Sequence, residues 1–103
     1  MLRVPHDTIW VRDYGPLFSL DAGRRTAVDA RYPPLGRPLD DRAPAGLATY
    51  LGDRLRTVSA ALEGGNLLSN GRGLLVATDK LVHDNRAVGR SWATVVSQLR
   101  ASL

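Results

Sequence analysis

Apolar positions along this chain come in short stretches, each closed by glycine, proline, asparagine or aspartate. Leu17-Phe18-Ser19-Leu20 is apolar and strand-like, Asp21-Ala22-Gly23-Arg24 is a turn, and Thr26–Ala30 returns as the second arm of a hairpin. Upstream, Thr8 to Arg12 reads as short and extended, ending in the turn-prone run Asp13-Tyr14-Gly15-Pro16. In an extended segment Trp10 and Arg12 share one face, and Asp13 falls where the chain turns.

Tyr32 to Pro44 holds Pro33, Pro34, Pro38 and Pro44 and reads as a loop. Asp40 or Asp41 then caps a helix over Ala43–Leu51, with Pro44 tolerated in its first turn and Gly52 as its stop. Leu55–Leu62, carrying Thr57 and Val58, predicts a strand that leads directly into Glu63. Leu67-Leu68-Ser69, the Asn70-Gly71 dipeptide and Gly73–Thr78 predict a hairpin, with Asn-Gly supplying two positive-φ positions to a tight turn. Ser91–Leu103 places Trp92, Val95, Val96 and Leu99 at the spacing of one helix face. The order strands, helix, strands, helix points to two similar units, although no repeat is visible in the sequence itself.

Composition narrows the function classes. A length of 103 residues suits one small domain or part of a larger one, and 44% hydrophobic residues argue against intrinsic disorder. No apolar run is long enough to span a bilayer, and Met1–Asp7 has no leader-like apolar core, so the expected compartment is the cytoplasm, with no membrane partner. Cysteine is absent, which removes disulfides, thiolate metal sites and thiol nucleophiles from this chain. His6 and His83 are far apart and neither has a second ligand at metal spacing, so no metal site is expected. The formal charge of +4 raises the question of nucleic acid. The arginines, however, are scattered or paired (Arg24-Arg25) among aspartates, and Lys80 is the one lysine; this pattern argues against a nucleic-acid partner.

Two segments carry candidate chemistry. Asp13, at a strand end beside Gly15-Pro16, is placed to line a pocket mouth, and Trp10 could stack on a flat cation or an alkyl chain. The plainer reading is a core tryptophan and a surface Arg12–Asp13 ion pair. Glu63, the single glutamate of the chain, precedes Gly64, Gly65 and Asn66, which allow a sharp turn or a close approach to a ligand. Here the plainer reading is a strand-ending turn with an incidental acid. A guanidinium is planar and rich in donors, so two carboxylates with a nearby aromatic make a plausible receptor for one. Spacing alone does not bring the two together.

The ordered series Trp10-Val11-Arg12-Asp13-Tyr14-Gly15-Pro16, Asp40-Asp41, Leu62-Glu63-Gly64-Gly65-Asn66 and Asn70-Gly71-Arg72-Gly73, with Thr78 and Asn85, resembles the agmatine deiminases. The wider group includes the bacterial-type peptidylarginine deiminases, and the resemblance runs from about Asp7 to about Asn85. It implies an α/β fold of the pentein kind, a pseudo-fivefold ring of ββαβ units, with about two of those units in this chain. Members hydrolyse a guanidinium to a ureido group and ammonia: a cysteine attacks the guanidinium carbon, a histidine transfers protons and carboxylates hold the substrate, with no metal or organic cofactor. By matching position, Asp13 resembles the carboxylate that binds the guanidinium and Trp10 the aromatic beside the substrate. Glu63 resembles the acid that orients and charges the catalytic histidine. Arg12, Gly15, Gly64, Gly65 and Asn66 resemble scaffold.

The family's His-x-Asp segment and its late cysteine have no counterpart here. Residues 1–103 are therefore expected to form a partial deiminase domain, truncated at both ends and inactive alone, whose full-length protein could form a homo-oligomer. The expected partner is a guanidine-containing small molecule or an arginine side chain. Trp in the first motif and Asn after Glu-Gly-Gly favour the agmatine and peptidylarginine group over arginine deiminase, dimethylarginine hydrolase or amidino transfer. A noncatalytic basic module that binds arginine-like ligands or acidic partners is the alternative from a different class.

Overall fold

The computed structural model describes residues 3–103; Met1 and Leu2, the first residues of the segment read for a leader, lie outside the described residues. The expected hairpin forms from β1 (Leu17–Asp21) and β2 (Arg24–Arg31), antiparallel from Leu17↔Val28 to Asp21↔Arg24. Ala22 and Gly23 turn the chain with positive φ. Helix α2 (Pro38–Leu51) then carries the chain back, and β3 (Arg54–Ala61) pairs with β2 in parallel, giving the sheet order β1-β2-β3. A parallel pair needs such a crossover, because a tight turn can only reverse the chain. These elements make one ββαβ unit. A second begins with β4 (Leu67–Ser69) and β5 (Leu75–Ala77), followed by α3 (Lys80–Ala87) and α4 (Trp92–Ser102).

Both faces of the three-stranded sheet are covered. On β2, neighbouring Ala27 and Val28 are both buried although they point to opposite sides, as successive strand residues do. Val28 and Val58 meet Leu81, Val95 and Leu99 from α3 and α4. Behind the sheet, Ala43 of α2 packs with Tyr14 and Tyr32, whose rings meet edge to face at 5.9 Å.

Several local expectations are corrected. Thr8 to Arg12 is not extended: Val11–Tyr14 forms a single helical turn, α1, with Trp10 at its N-cap position. Helix α2 starts at Pro38 and not at Ala43, so Pro38 is its first residue and the loop ends sooner. Asp40 and Asp41 lie inside its first turn and do not cap it. The cap comes from a distance, since Leu39 N donates to Asp7 Oδ2 at 2.9 Å. Gly52, with φ of 68°, does close the helix in the left-handed conformation that suits glycine.

The β4–β5 hairpin is present, but Asn70-Gly71 does not form a two-residue turn. Asn70 lacks the positive φ that such a turn requires, and its carboxamide oxygen instead accepts from Arg72 N and Leu74 N, organising a longer loop. Helix α3 was not foreseen. In α4, Ser91 caps the helix through Thr94 N, and Val95, Leu99 and Ser102 are buried. Trp92, expected on the core face, is 47% exposed.

Candidate active site

The two motifs meet. Turn α1 packs against the 3-10 turn Gly64–Asn66, and Asp13 Oδ1 accepts a hydrogen bond from Gly65 N at 3.1 Å across 52 residues of sequence. The approach depends on both glycines. A Cβ on Gly64 would lie 2.2 Å from Arg12 O, and one on Gly65 would lie 2.2 Å from Asp13 Oδ1. A side chain at Gly64 would force the two segments apart, and one at Gly65 would displace the Asp13 carboxylate.

The helical turn also changes which residues sit together. With Trp10 at the N-cap, its carbonyl accepts from Asp13 N at 2.8 Å, so the chain is not extended and the shared face expected of Trp10 and Arg12 is lost. Trp10 is 58% exposed, so it is not the core tryptophan of the plainer reading. Nor does Arg12 form an ion pair with Asp13 among the described residues.

Glu63 stands one residue before the Gly64–Asn66 turn, with its carboxylate held at both oxygens. Asn66 Nδ2 donates to Oε2 at 3.1 Å, and Lys80 Nζ lies 3.4 Å from Oε1. Lys80 is shared: its Nζ also bonds Asp84 Oδ2 at 2.5 Å, one helical turn along α3. The Asp84 hydrogen bond, partly opposed by burial and aided by the charge of Glu63, raises the Lys80 pKa above its ordinary value. Lys80 was not among the residues singled out from the sequence. Its being the one lysine of the chain, shortly after the Glu63 motif, was the available signal.

A supporting frame surrounds α1. The buried Asp40 carboxylate accepts from Asp7 N (2.6 Å), Thr8 N (3.0 Å) and Thr8 Oγ1 (2.7 Å), while Tyr14 Oη donates to Thr8 O at 2.8 Å. Burial pushes the Asp40 pKa up, but the Thr8 and Asp7 hydrogen bonds and the Arg37 charge outweigh it and hold Asp40 below the usual carboxylate range. Asp41 Oδ1 accepts from Tyr32 N at 2.7 Å, fixing the chain where it leaves β2. On the other side, Asn85 bonds Ala61, two residues before Glu63. Gly15 fits closely too, since a Cβ there would lie 2.4 Å from Val11 O. His6 and His83 are both exposed; His6 lines an open apolar groove with Tyr14 and Leu47, and His83 lies on α3.

Known proteins share this fold. The agmatine deiminase of Enterococcus faecalis superposes with a TM-score of 0.81 at 22% identity, covering 93% of this chain and 30% of that one. An agmatine deiminase of C. jejuni with substrate bound gives a TM-score of 0.74 at 25% identity, covering 93% and 31%. The fold is thus part of the pentein ring. In sequence, a Selenomonas ruminantium protein named "Putative agmatine deiminase" is 34% identical in an alignment that covers 76% of this chain and 24% of that protein. A Photobacterium profundum protein of the same name is 31% identical over 97 residues, covering 84% and 27%. This chain therefore spans about a quarter of the length of those relatives. The family model for Porphyromonas-type peptidyl-arginine deiminases matches residues 1–103, and the chain belongs to that family.

Proposed function

We propose that this chain carries the guanidinium-binding part of a deiminase site, and that the groups completing the reaction belong to protein outside residues 1–103. The family's chemistry is guanidine deimination, in which a thiolate adds to the guanidinium carbon, ammonia leaves and water releases the ureido product. No thiol is present in this sequence to perform the first step.

The observation that carries the reading is the Asp13–Gly65 hydrogen bond, which ties the first motif to the second. It occupies Oδ1 of Asp13 and leaves Oδ2 to accept from a guanidinium, whose planar N–H groups suit a fixed carboxylate. Trp10, on the same turn, supplies an exposed aromatic face for the cation or its alkyl stem. Glu63 would orient and charge a histidine contributed from elsewhere, and Asn66 and Lys80 keep its carboxylate in place meanwhile. Agmatine and arginine side chains both present the required group.

Titrating the isotopically labelled chain with agmatine tests this. The Gly65 amide and the Trp10 indole resonances should shift, and Asp13→Asn should abolish both shifts. Unchanged binding by the Asp13→Asn variant would refute the assignment of Asp13. Ammonia release from agmatine by the chain alone, above a buffer blank, would refute the view that the nucleophile lies elsewhere.

A further inference from the structure

The arginines that look scattered in sequence do not all stay scattered in the fold. Thr26 is the register partner of Arg54 and Val28 that of Arg56, so Arg24, Arg54 and Arg56 lie on the same sheet face as buried Val28 and Val58. Helix α4 covers this face through Val95 and Leu99. Its last turn lies near the start of β3, where guanidiniums take over from valines. Arg100 joins them, and the four arginines line one polar cleft of about 440 Å³ together with Asp21 and Thr26.

None of these four guanidiniums is within salt-bridge distance of a carboxylate among the described residues, although Asp21 lines the same cleft and Arg25, one residue away, pairs with Asp53. Arg56 Nη1 donates to Ala101 O, which ties down one guanidinium and satisfies a carbonyl at the end of α4. Arg24, Arg54 and Arg100 also line the cleft, and their side chains make no hydrogen bond or ion pair among the described residues. Four cations outnumber the Asp21 carboxylate in this cleft, and a bound anion would relieve their mutual repulsion.

We propose that this cleft is a binding site for a small ligand bearing adjacent phosphate groups, separate from the guanidinium site. Paired oxyanions suit forked guanidinium donors better than a lone carboxylate does. No aromatic side chain lines the cleft, so it offers no stacking surface for nucleic-acid bases. The enclosure between the sheet and α4 also suits a compact ligand better than an extended strand.

The test uses the whole chain and inorganic pyrophosphate, followed by calorimetry and by amide shifts. Shifts should concentrate at Thr26, Arg54, Leu55 and Ala101. Arg54→Gln and Arg100→Gln should each weaken binding about tenfold. Arg42→Gln, which alters an exposed arginine of α2 outside the cleft, should leave it unchanged. Comparable weakening by Arg42→Gln would mean general charge attraction and would overturn the site. So would the absence of shifts along β3. Tighter binding of a short single-stranded oligonucleotide than of pyrophosphate would overturn the small-ligand assignment.

Discussion

Asn85 satisfies both polar groups of a single residue, Ala61. Its Oδ1 accepts from Ala61 N at 2.9 Å, and its Nδ2 donates to Ala61 O at 2.8 Å. The same Nδ2 also bonds Leu81 O one turn back in α3. Asn85 is 1% exposed, so these backbone groups have no water to turn to if the side chain is lost. Helix α3 is thereby fastened to the end of β3, two residues before Glu63.

Replacing Asn85 by leucine should therefore destabilise the fold by about 3 kcal/mol, because it strands a buried N–H and a buried C=O. Chemical denaturation of the two proteins measures this. A loss no larger than that of a typical exposed-site variant would show that solvent or a rearranged strand end replaces the amide.

The two glycines of the second motif should respond differently to alanine. At Gly64 the added Cβ meets the Arg12 backbone, which cannot move without undocking α1, and a cost of about 2 kcal/mol is expected. At Gly65 it meets the Asp13 side chain, which can swing away. Gly65→Ala should thus melt close to the wild type while losing agmatine-induced shifts. Equal melting losses for the two variants would contradict this division.

Acid should release the N-terminal segment first. The folded pKa of Asp40 is depressed, so its contribution to stability is complete above its unfolded value of about 3.9 and disappears as pH falls through the folded value. Asp29 works the other way: burial, then the neighbouring Asp41, raises its pKa, so its charged form disfavours the fold as pH rises past the unfolded value. Asp29→Asn should accordingly gain stability near neutral pH and keep the loss in acid. Asp40→Asn should flatten that loss. Melting temperatures collected from pH 3 to pH 7 decide the matter, and an unchanged acid slope in Asp40→Asn would exclude the assigned cause.

Association is expected as well. Strands β1 and β3 both lie at the edges of their sheet, and Leu20 and Phe18 on β1 are 75% and 46% exposed. An open edge with apolar residues invites pairing. Sedimentation should show mass rising with concentration, and Leu20→Lys should reduce it. A monomer with a concentration-independent melt would count against this.

Much of the unit was legible because its signals are local. Gly23 and Gly52 mark turns by conformation, and Thr57 and Val58 mark a strand. What escaped depends on partners remote in sequence. Helix α2 begins early because Asp7 serves as its cap from 31 residues before Pro38, leaving Asp40 free to hold Asp7 and Thr8 in return. Helix α3 is polar apart from Leu81, Val82 and Ala87 and lacks a continuous apolar face to announce it; buried Asn85 anchors it instead. At the site, spacing did not show that Asp13 meets Gly65, which depends on the helical turn at Val11–Tyr14. The Lys80–Glu63 pair required α3.

The hydrogen bond between Asp13 and Gly65 also bears on the order of folding. It encloses the whole ββαβ unit, so it cannot form until the hairpin, the crossover helix and the parallel strand have been laid down. Closing so long a loop is entropically unfavourable until the contacts inside it exist. The Gly65 amide should gain protection from exchange later than those of β2 during refolding. Trp10 and Asp13 would then acquire their relation to the second motif only once the unit around them is complete.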